Sequence, residues 1–302
     1  MECVLPARAT VGEGIVWDDR EGVLWWVDIP AGLVHRTDAS GASRAYRLDE
    51  PVGCLALRED GGLVLATASG FHSFDPTTGG REAIHDPEPH LPHNRFNDGA
   101  TDPAGRFWAG TMRDPPDRAA GPQGRFYRLD PDGVVTPWRN GFWTTNGTAF
   151  SPDGRTMYLS DSHPSVRMVW AAEYDASRGV PSEPRPFLDT NGLAGRPDGA
   201  TVDSDGCYWM AGVGGWQVYR VTPDGRIDRT IDMPVERPSK PAFGGARLDT
   251  LYVTSIGSGL TPGTEGDQPL AGSVFAIHGT GATGLPPSRF GSRGRSNKGG
   301  DA

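Results

Sequence analysis

The chain has 302 residues, of which 22% are charged and 36% apolar, a balance that excludes a disordered or a membrane-embedded chain. Its formal net charge of −9 excludes nucleic acid as an expected partner, because phosphate binding needs a basic surface. No apolar run approaches the ~20 residues of a membrane span, so no membrane partner is expected either. The start Met1-Glu2-Cys3-Val4-Leu5-Pro6 lacks a basic stretch followed by an apolar one, and so does not read as a secretory signal. Cys3, Cys54 and Cys207 show neither metal-type spacing nor an even disulfide framework. Together these features predict a cytoplasmic protein with buried, reduced thiols.

Glycine (43) and proline (27) are abundant and sit between short apolar runs, which predicts many tight turns and an all-β chain. A turn followed by a strand-like run recurs six times. In chain order the turns are Asp18 to Gly22, Glu59 to Gly62, Asp102 to Arg106, Ser151 to Arg155, Asp203 to Gly206 and Gly244 to Asp249. They lead into V-L-W-W-V-D-I, L-V-L-A-T, F-W-A-G-T-M, T-M-Y-L-S-D, C-Y-W-M-A-G and T-L-Y-V-T-S. The spacing, about 45 residues, is that of one four-stranded propeller blade. Second hairpins show within blades, as at Tyr127 to Gly133 and Tyr219 to Gly225. No helix-period apolar pattern of useful length appears. The repeats predict a single six-bladed β-propeller over residues 1–291, with a glycine-rich polar tail over 292–302 read as disordered.

One position recurs in phase with the turns. Asn97, Asn146 and Asp198 each lie eight residues before the turn glycines Gly105, Gly154 and Gly206, and Glu13 lies nine before Gly22. Equivalent positions of a propeller form a ring about its axis, so four oxygen-bearing side chains converge there. Asn-Gly and Asp-Gly pairs also occur as plain hairpin turns. Here, however, each pair begins an apolar run ahead of the turn, which four independent turns would not require. Buried carboxylates need a partner or a cation, and a ring without cysteine or histidine suits Ca2+, Mg2+ or Mn2+.

Several segments carry a resemblance: G-E-G-I-V-W (12–17), W-V-D-I-P (26–30), N-R-F-N-D-G (94–99), G-R-F-W-A-G-T-M (105–112), T-N-G-T-A-F-S-P-D-G (145–154), R-P-D-G-A-T-V-D (196–203) and F-G-G (243–245). With them the chain resembles the senescence marker protein/regucalcin/gluconolactonase family. The resemblance implies a six-bladed propeller in which Glu13, Asn146 and Asp198 bind one divalent metal ion. Ca2+ is the first expectation, with Mn2+, Mg2+, Zn2+ and Fe2+ as alternatives. It also implies that Arg95 and Asn97 contact the substrate, a small-molecule sugar lactone, and that the activity is lactone hydrolysis. A metal in this position polarises the carbonyl and lowers the pKa of a bound water, with Asp198 as general base. Some members carry an acidic residue soon after G-T-M, where this chain reads Arg113-Asp114-Pro115-Pro116-Asp117; Asp114 or Asp117 is the expected substitute.

Other features are weaker. His90 and His93 form H-x-x-H without a third ligand. Ser162-His163 lacks the G-x-S-x-G elbow of a serine hydrolase, although Asp161 and His163 can lie near the rim. Most tryptophans fall in strand-like runs, whereas Trp143 and Trp216 fall near expected channel ends. The alternatives to a lactonase are a related propeller esterase or phosphotriesterase and a non-catalytic calcium-binding propeller.

Overall fold

Each of the six repeated turns opens a hairpin, and each hairpin lies at the inner edge of its own antiparallel sheet; the six sheets form the blades of a β-propeller. The computed structural model describes residues 1–38 and 40–291. The tail expected over 292–302 lies outside the described residues. From blade 1 to blade 6 the innermost strands are Gly12–Asp18, Val52–Leu57, Asn94–Thr101, Thr145–Phe150, Arg196–Val202 and Pro238–Gly244. Blades 1 to 3 and 5 add three further strands in sequence order, and blade 4 adds a two-residue strand, Val180–Pro181, beside its outer edge.

Blade 6 is assembled from both ends of the chain. Its strands Pro238–Gly244, Thr250–Ser255 and Val274–Ile277 come from the C-terminal part, and its outer strand is Glu2–Leu5. Glu2 pairs with Ala276 and Cys3 with Phe275, which closes the ring. Past Ile277 the chain returns beneath the propeller. The Phe290 amide donates to the Leu57 carbonyl, and Arg289 meets Asp18 at 2.7 Å and Asp19 at 2.6 Å. The only helical turn among the described residues is Glu265–Asp267.

Three of the six repeated turns share one local cause. Asp18, Asp102 and Asp203 each accept turn amides on Oδ1, from Arg20 at 3.0 Å, Ala104 at 2.9 Å and Asp205 at 3.0 Å, the Asx geometry that fixes such turns. Between blades the sheets pack face to face. Val23, Trp25, Val27, Leu55 and Leu65 fill the interface of blades 1 and 2, and Tyr158, Tyr208, Met210 and Ala200 that of blades 4 and 5. The interface of blades 3 and 4 is aromatic, with Trp108 edge-on to Tyr174 and Phe126 edge-on to Phe142.

The inner strands carry the feature that builds the site. In blade 1 Glu13 faces Val27, and the next pair is Val16 with Trp25, so Gly14 and Ile15 together oppose one residue. The same two-against-one bulge follows Phe96, Asn146, Pro197 and Pro238. Blade 2 has a single extra residue there, Gly53. A Cβ on Gly53 would stand 2.2 Å from the Phe96 carbonyl oxygen and 2.8 Å from the Asn97 nitrogen, so only glycine lets the bulge of blade 3 approach. Gly53→Ala is expected to destabilise the fold by about 1–3 kcal/mol. Unchanged urea unfolding would show that blade 3 does not depend on this approach.

Candidate active site

A bulge bends its strand and re-aims the side chains around it. Here five bulges at one level bring Glu13, Asn97, Asn146 and Asp198 toward the upper mouth of the channel, where the inner strands begin, and Lys240 to the level below them. The register also refines the phasing of the sequence. Glu13 and Asn146 share one position, the last before the bulge, and each is followed by a left-handed glycine, Gly14 at φ 60 and Gly147 at φ 66. Asn97 and Asp198 sit one step further, as the first residues of their bulges.

Hydrogen bonds orient this group. The Asn146 amide nitrogen donates to Ser162 Oγ at 2.7 Å, leaving Oδ1 to accept from Asn97 Nδ2 at 3.2 Å. Asn97 Nδ2 also donates to the Thr145 carbonyl at 2.8 Å, and Asn97 Oδ1 accepts from Arg95 at 2.8 Å. The Arg95 Nε donates to Asp114 at 2.6 Å. Of the two acidic residues after G-T-M, Asp114 is therefore the one against Arg95, while Asp117 faces Arg113 at 3.6 Å.

Two carboxylates of the group lack such partners. Asp198 is buried at 6% exposure and makes no hydrogen bond among the described residues; Glu13, equally buried, accepts only from the Gly14 amide at 2.9 Å. Burial pushes the Asp198 carboxyl up to about 7; Asp98 adds to the rise, and Arg196, Arg237 and Lys240 oppose it. Burial, with the charges of Asp198 and Asp98, also holds Glu13 well above the usual carboxylate range. One level deeper Asp98 pairs with Lys240 across the channel and accepts the Thr148 amide at 2.8 Å. Burial alone would push the Lys240 ammonium down, but Asp98 and Glu13 outweigh it and hold it above the ordinary lysine value.

Asp98 has the Lys240 ammonium as its partner, whereas Glu13 and Asp198, both buried, make no salt bridge among the described residues. With Asn146 Oδ1 they offer an all-oxygen donor set. The set fits a hard cation such as Ca2+. Among the described residues no group of three His, Cys, Asp or Glu side chains is placed to hold a metal ion.

The remaining sequence candidates separate. Ser162 Oγ is held between Asn146 and the Pro197 carbonyl, so Ser162 is a support for Asn146. Asp161 accepts the amides of Trp143 at 2.8 Å and His163 at 2.9 Å, and Trp143 stacks on His163 at 4.6 Å between centroids. His90 and His93 are exposed. Trp216 lies on the rim between blades 5 and 6, its amide donating to the Glu236 carbonyl at 3.1 Å. A cavity of about 890 Å³ occupies the lower channel from Gly14 and Lys240 down to the 285–289 segment. None of Glu13, Arg95, Asn97, Asn146 or Asp198 lines it.

Residues 11–257 match the family described as SMP-30/Gluconolactonase/LRE-like region. The chain belongs to this family. It is 39% identical over 277 residues to 6-deoxy-6-sulfogluconolactonase of Pseudomonas putida, covering 91% of this chain and 94% of that one. It is 33% identical over 294 residues to regucalcin of Xenopus laevis, covering 96% and 98%. The crystal structure of a calcium-binding protein, regucalcin, from Agrobacterium tumefaciens superposes with a TM-score of 0.88 at 29% identity, covering 95% and 96%. The resemblance and the six-bladed fold read from sequence both hold. Among the described residues no helix is long and apolar enough to cross a membrane, and all three cysteines are free.

Lys240 and its pairing with Asp98 escaped the sequence reading, although the R-P-S-K stretch before F-G-G holds the one signal, a lysine inside an apolar strand run. The raised carboxyls carry a pH signature. The folded chain holds more protons than the unfolded chain between about pH 4 and pH 7, so these groups make stability fall as pH rises through that window. Chelator-treated protein is expected to lose Tm between about pH 5 and pH 7.5. Asp198→Asn should flatten that loss, and equal slopes in the two proteins would refute the assignment.

Proposed function

We propose that this chain hydrolyses an aldonolactone to the corresponding sugar acid, with one divalent cation, Ca2+ in the first instance, held by Glu13, Asn146 and Asp198. The observation that carries the reading is the pair of buried, uncovered carboxylates beside an oriented amide oxygen at the mouth of the channel. Relatives named for lactone hydrolysis and for calcium binding support it.

When bound, such a cation supplies a Lewis acid for the lactone carbonyl. The chain's own residues do the rest. Asp198 accepts a proton from the attacking water, the new C–O bond forms at the carbonyl carbon, and the ring ester C–O bond breaks. The ring oxygen leaves with a proton returned by Asp198. Arg95, steadied by Asp114 and Asn97, presents a planar fork to the sugar's oxygens. Asn97 both donates and accepts toward a hydroxyl. The product is a carboxylic acid, so the reaction releases one proton per turnover at neutral pH.

Acid release followed with a pH indicator tests this on metal-stripped protein given a panel of aldonolactones, with Ca2+, Mg2+, Mn2+, Zn2+ and Fe2+ restored singly. Asp198→Asn is expected to lower kcat by about a thousandfold and to weaken cation binding in calorimetry. Asn97→Ala is expected to impair turnover while the cation still binds. Near-normal hydrolysis by Asp198→Asn would overturn the mechanism. A protein that binds a cation and accelerates no lactone would have a binding role or an ester or phosphotriester substrate.

A further inference from the structure

Three arginines occupy one structural position. Arg95 faces Met112 immediately before the Phe96–Thr111 pair, and Arg196 faces Val213 immediately before the Pro197–Gly212 pair. Arg237 stands immediately before the Pro238–Ser255 pair and accepts the Ile256 amide at 2.9 Å. All three therefore sit one step above the bulges, on blades 3, 5 and 6, at the mouth where Asp198 lies.

Their surroundings differ in one respect. Arg95 meets the Asp114 carboxylate, but Arg196 and Arg237 meet no carboxylate among the described residues. Arg196 makes one contact, to the Ser162 carbonyl at 3.4 Å, which places its guanidinium beside the Asn146 support. Arg237 donates to the carbonyls of Ser258 at 2.6 Å and Gly259 at 2.8 Å. Elsewhere in this acidic chain three sheltered arginines are paired, Arg106 with Asp102 and Asp130, Arg220 with Asp203, Asp205 and Asp228, Arg289 with Asp18 and Asp19, whereas Arg167 donates to the carbonyls of Thr190, Leu193 and Gly195. Arg196 and Arg237 stand at equivalent positions of neighbouring blades, just above the Pro197 and Pro238 pairs. A guanidinium stays charged at any pH of interest and uses five N–H donors. Carbonyls position these two without neutralising them.

We propose that Arg196 and Arg237 form an oxyanion-binding subsite beside the axial cluster, so that the lactone accepted here carries a phosphate, sulfonate or carboxylate group remote from the ring ester. This rests on the lactonase reading for its substrate and adds the chemical class that the arginines select. A guanidinium pair is the side-chain arrangement best matched to such a group, through paired, charge-assisted hydrogen bonds. The competing role, in which Arg196 merely balances Asp198, predicts a different outcome.

The test compares gluconolactone with its 6-phospho and 6-sulfo derivatives and with a uronic-acid lactone, using cation-loaded wild type, Arg196→Gln and Arg237→Gln. The ratio of kcat/KM for an anionic lactone to that for the neutral one should exceed one in wild type. It should fall by about ten- to a hundredfold in each variant. Which anionic lactone is best separates the three groups. Calorimetry with 6-phosphogluconate against gluconate, on the same proteins, reads the subsite without turnover and should show the same loss. An unchanged ratio in both variants, with no preference for 6-phosphogluconate, overturns the subsite while leaving lactone hydrolysis intact. A drop in cation affinity with the ratio unchanged assigns Arg196 to balancing Asp198 and also overturns it. If no lactone is hydrolysed but 6-phosphogluconate binds through both arginines, the lactonase reading fails and the anion site stands.

Discussion

A strand running beside a channel sends its side chains alternately to the two flanking faces, and in a propeller those faces belong to neighbouring blades. Regular inner strands would pack well and leave the axis lined by backbone. The extra residue in each inner strand changes this: two residues share the space opposite one, the strand kinks, and side chains on either side of the kink turn toward the mouth. Because the bulges fall at one level in blades 1, 3, 4, 5 and 6, residues from distant parts of the chain meet. Glycines serve the same end in two ways. Gly14 and Gly147 adopt left-handed backbone directly after Glu13 and Asn146, and Gly53 leaves room for a neighbouring bulge.

The inner hairpins were legible because their turns repeat a chemistry that sequence displays: an aspartate capping its own turn amides, as Asp102 and Asp203 do. That phase was enough to group Glu13, Asn97, Asn146 and Asp198. It was not enough to order them: Glu13 and Asn146 lie one residue earlier than Asn97 and Asp198 relative to the bulges, and a shorter run from bulge to turn glycine in blade 4 hides that offset for Asn146, which left Glu13 alone out of step. Closure of the ring was hidden for another reason. The strand Glu2–Leu5 completes blade 6 through pairs with residues near Ala276, a contact with no local signal at either end. Lys240 was missed because a lysine in a strand ordinarily marks a solvent face, and only its pairing with Asp98 from another blade reveals it as interior.

Charge is distributed unevenly by design of the fold. Around the turns at the lower end, arginines and aspartates neutralise one another, and Arg289 ties the C-terminal segment to Asp18 and Asp19. At the upper mouth the two signs are kept apart: Glu13 and Asp198 sit at the bulges without a salt-bridge partner, and Arg196, two residues before Asp198, and Arg237 have no carboxylate partner among the described residues. Holding opposite charges close but unpaired is costly inside a protein. Packing between blades offsets that cost, and its aromatics also hold polar groups: Trp108 Nε1 donates to the Tyr174 hydroxyl, and the Tyr208 hydroxyl donates to the Gly147 carbonyl.

The joining of the two chain ends in blade 6 also sets an order of events during synthesis. The strand Glu2–Leu5 leaves the ribosome before the other five blades, and its partner Val274–Ile277 follows only after them. At about 5–20 residues per second, that leaves tens of seconds in which blades can form one by one while the ring stays open. A nascent chain in this interval exposes the unpaired strand Glu2–Leu5, which is complementary to the edge of Val274–Ile277 in another chain whose ring has not yet closed. The short length of the first strand limits how strongly such a mispaired neighbour could hold.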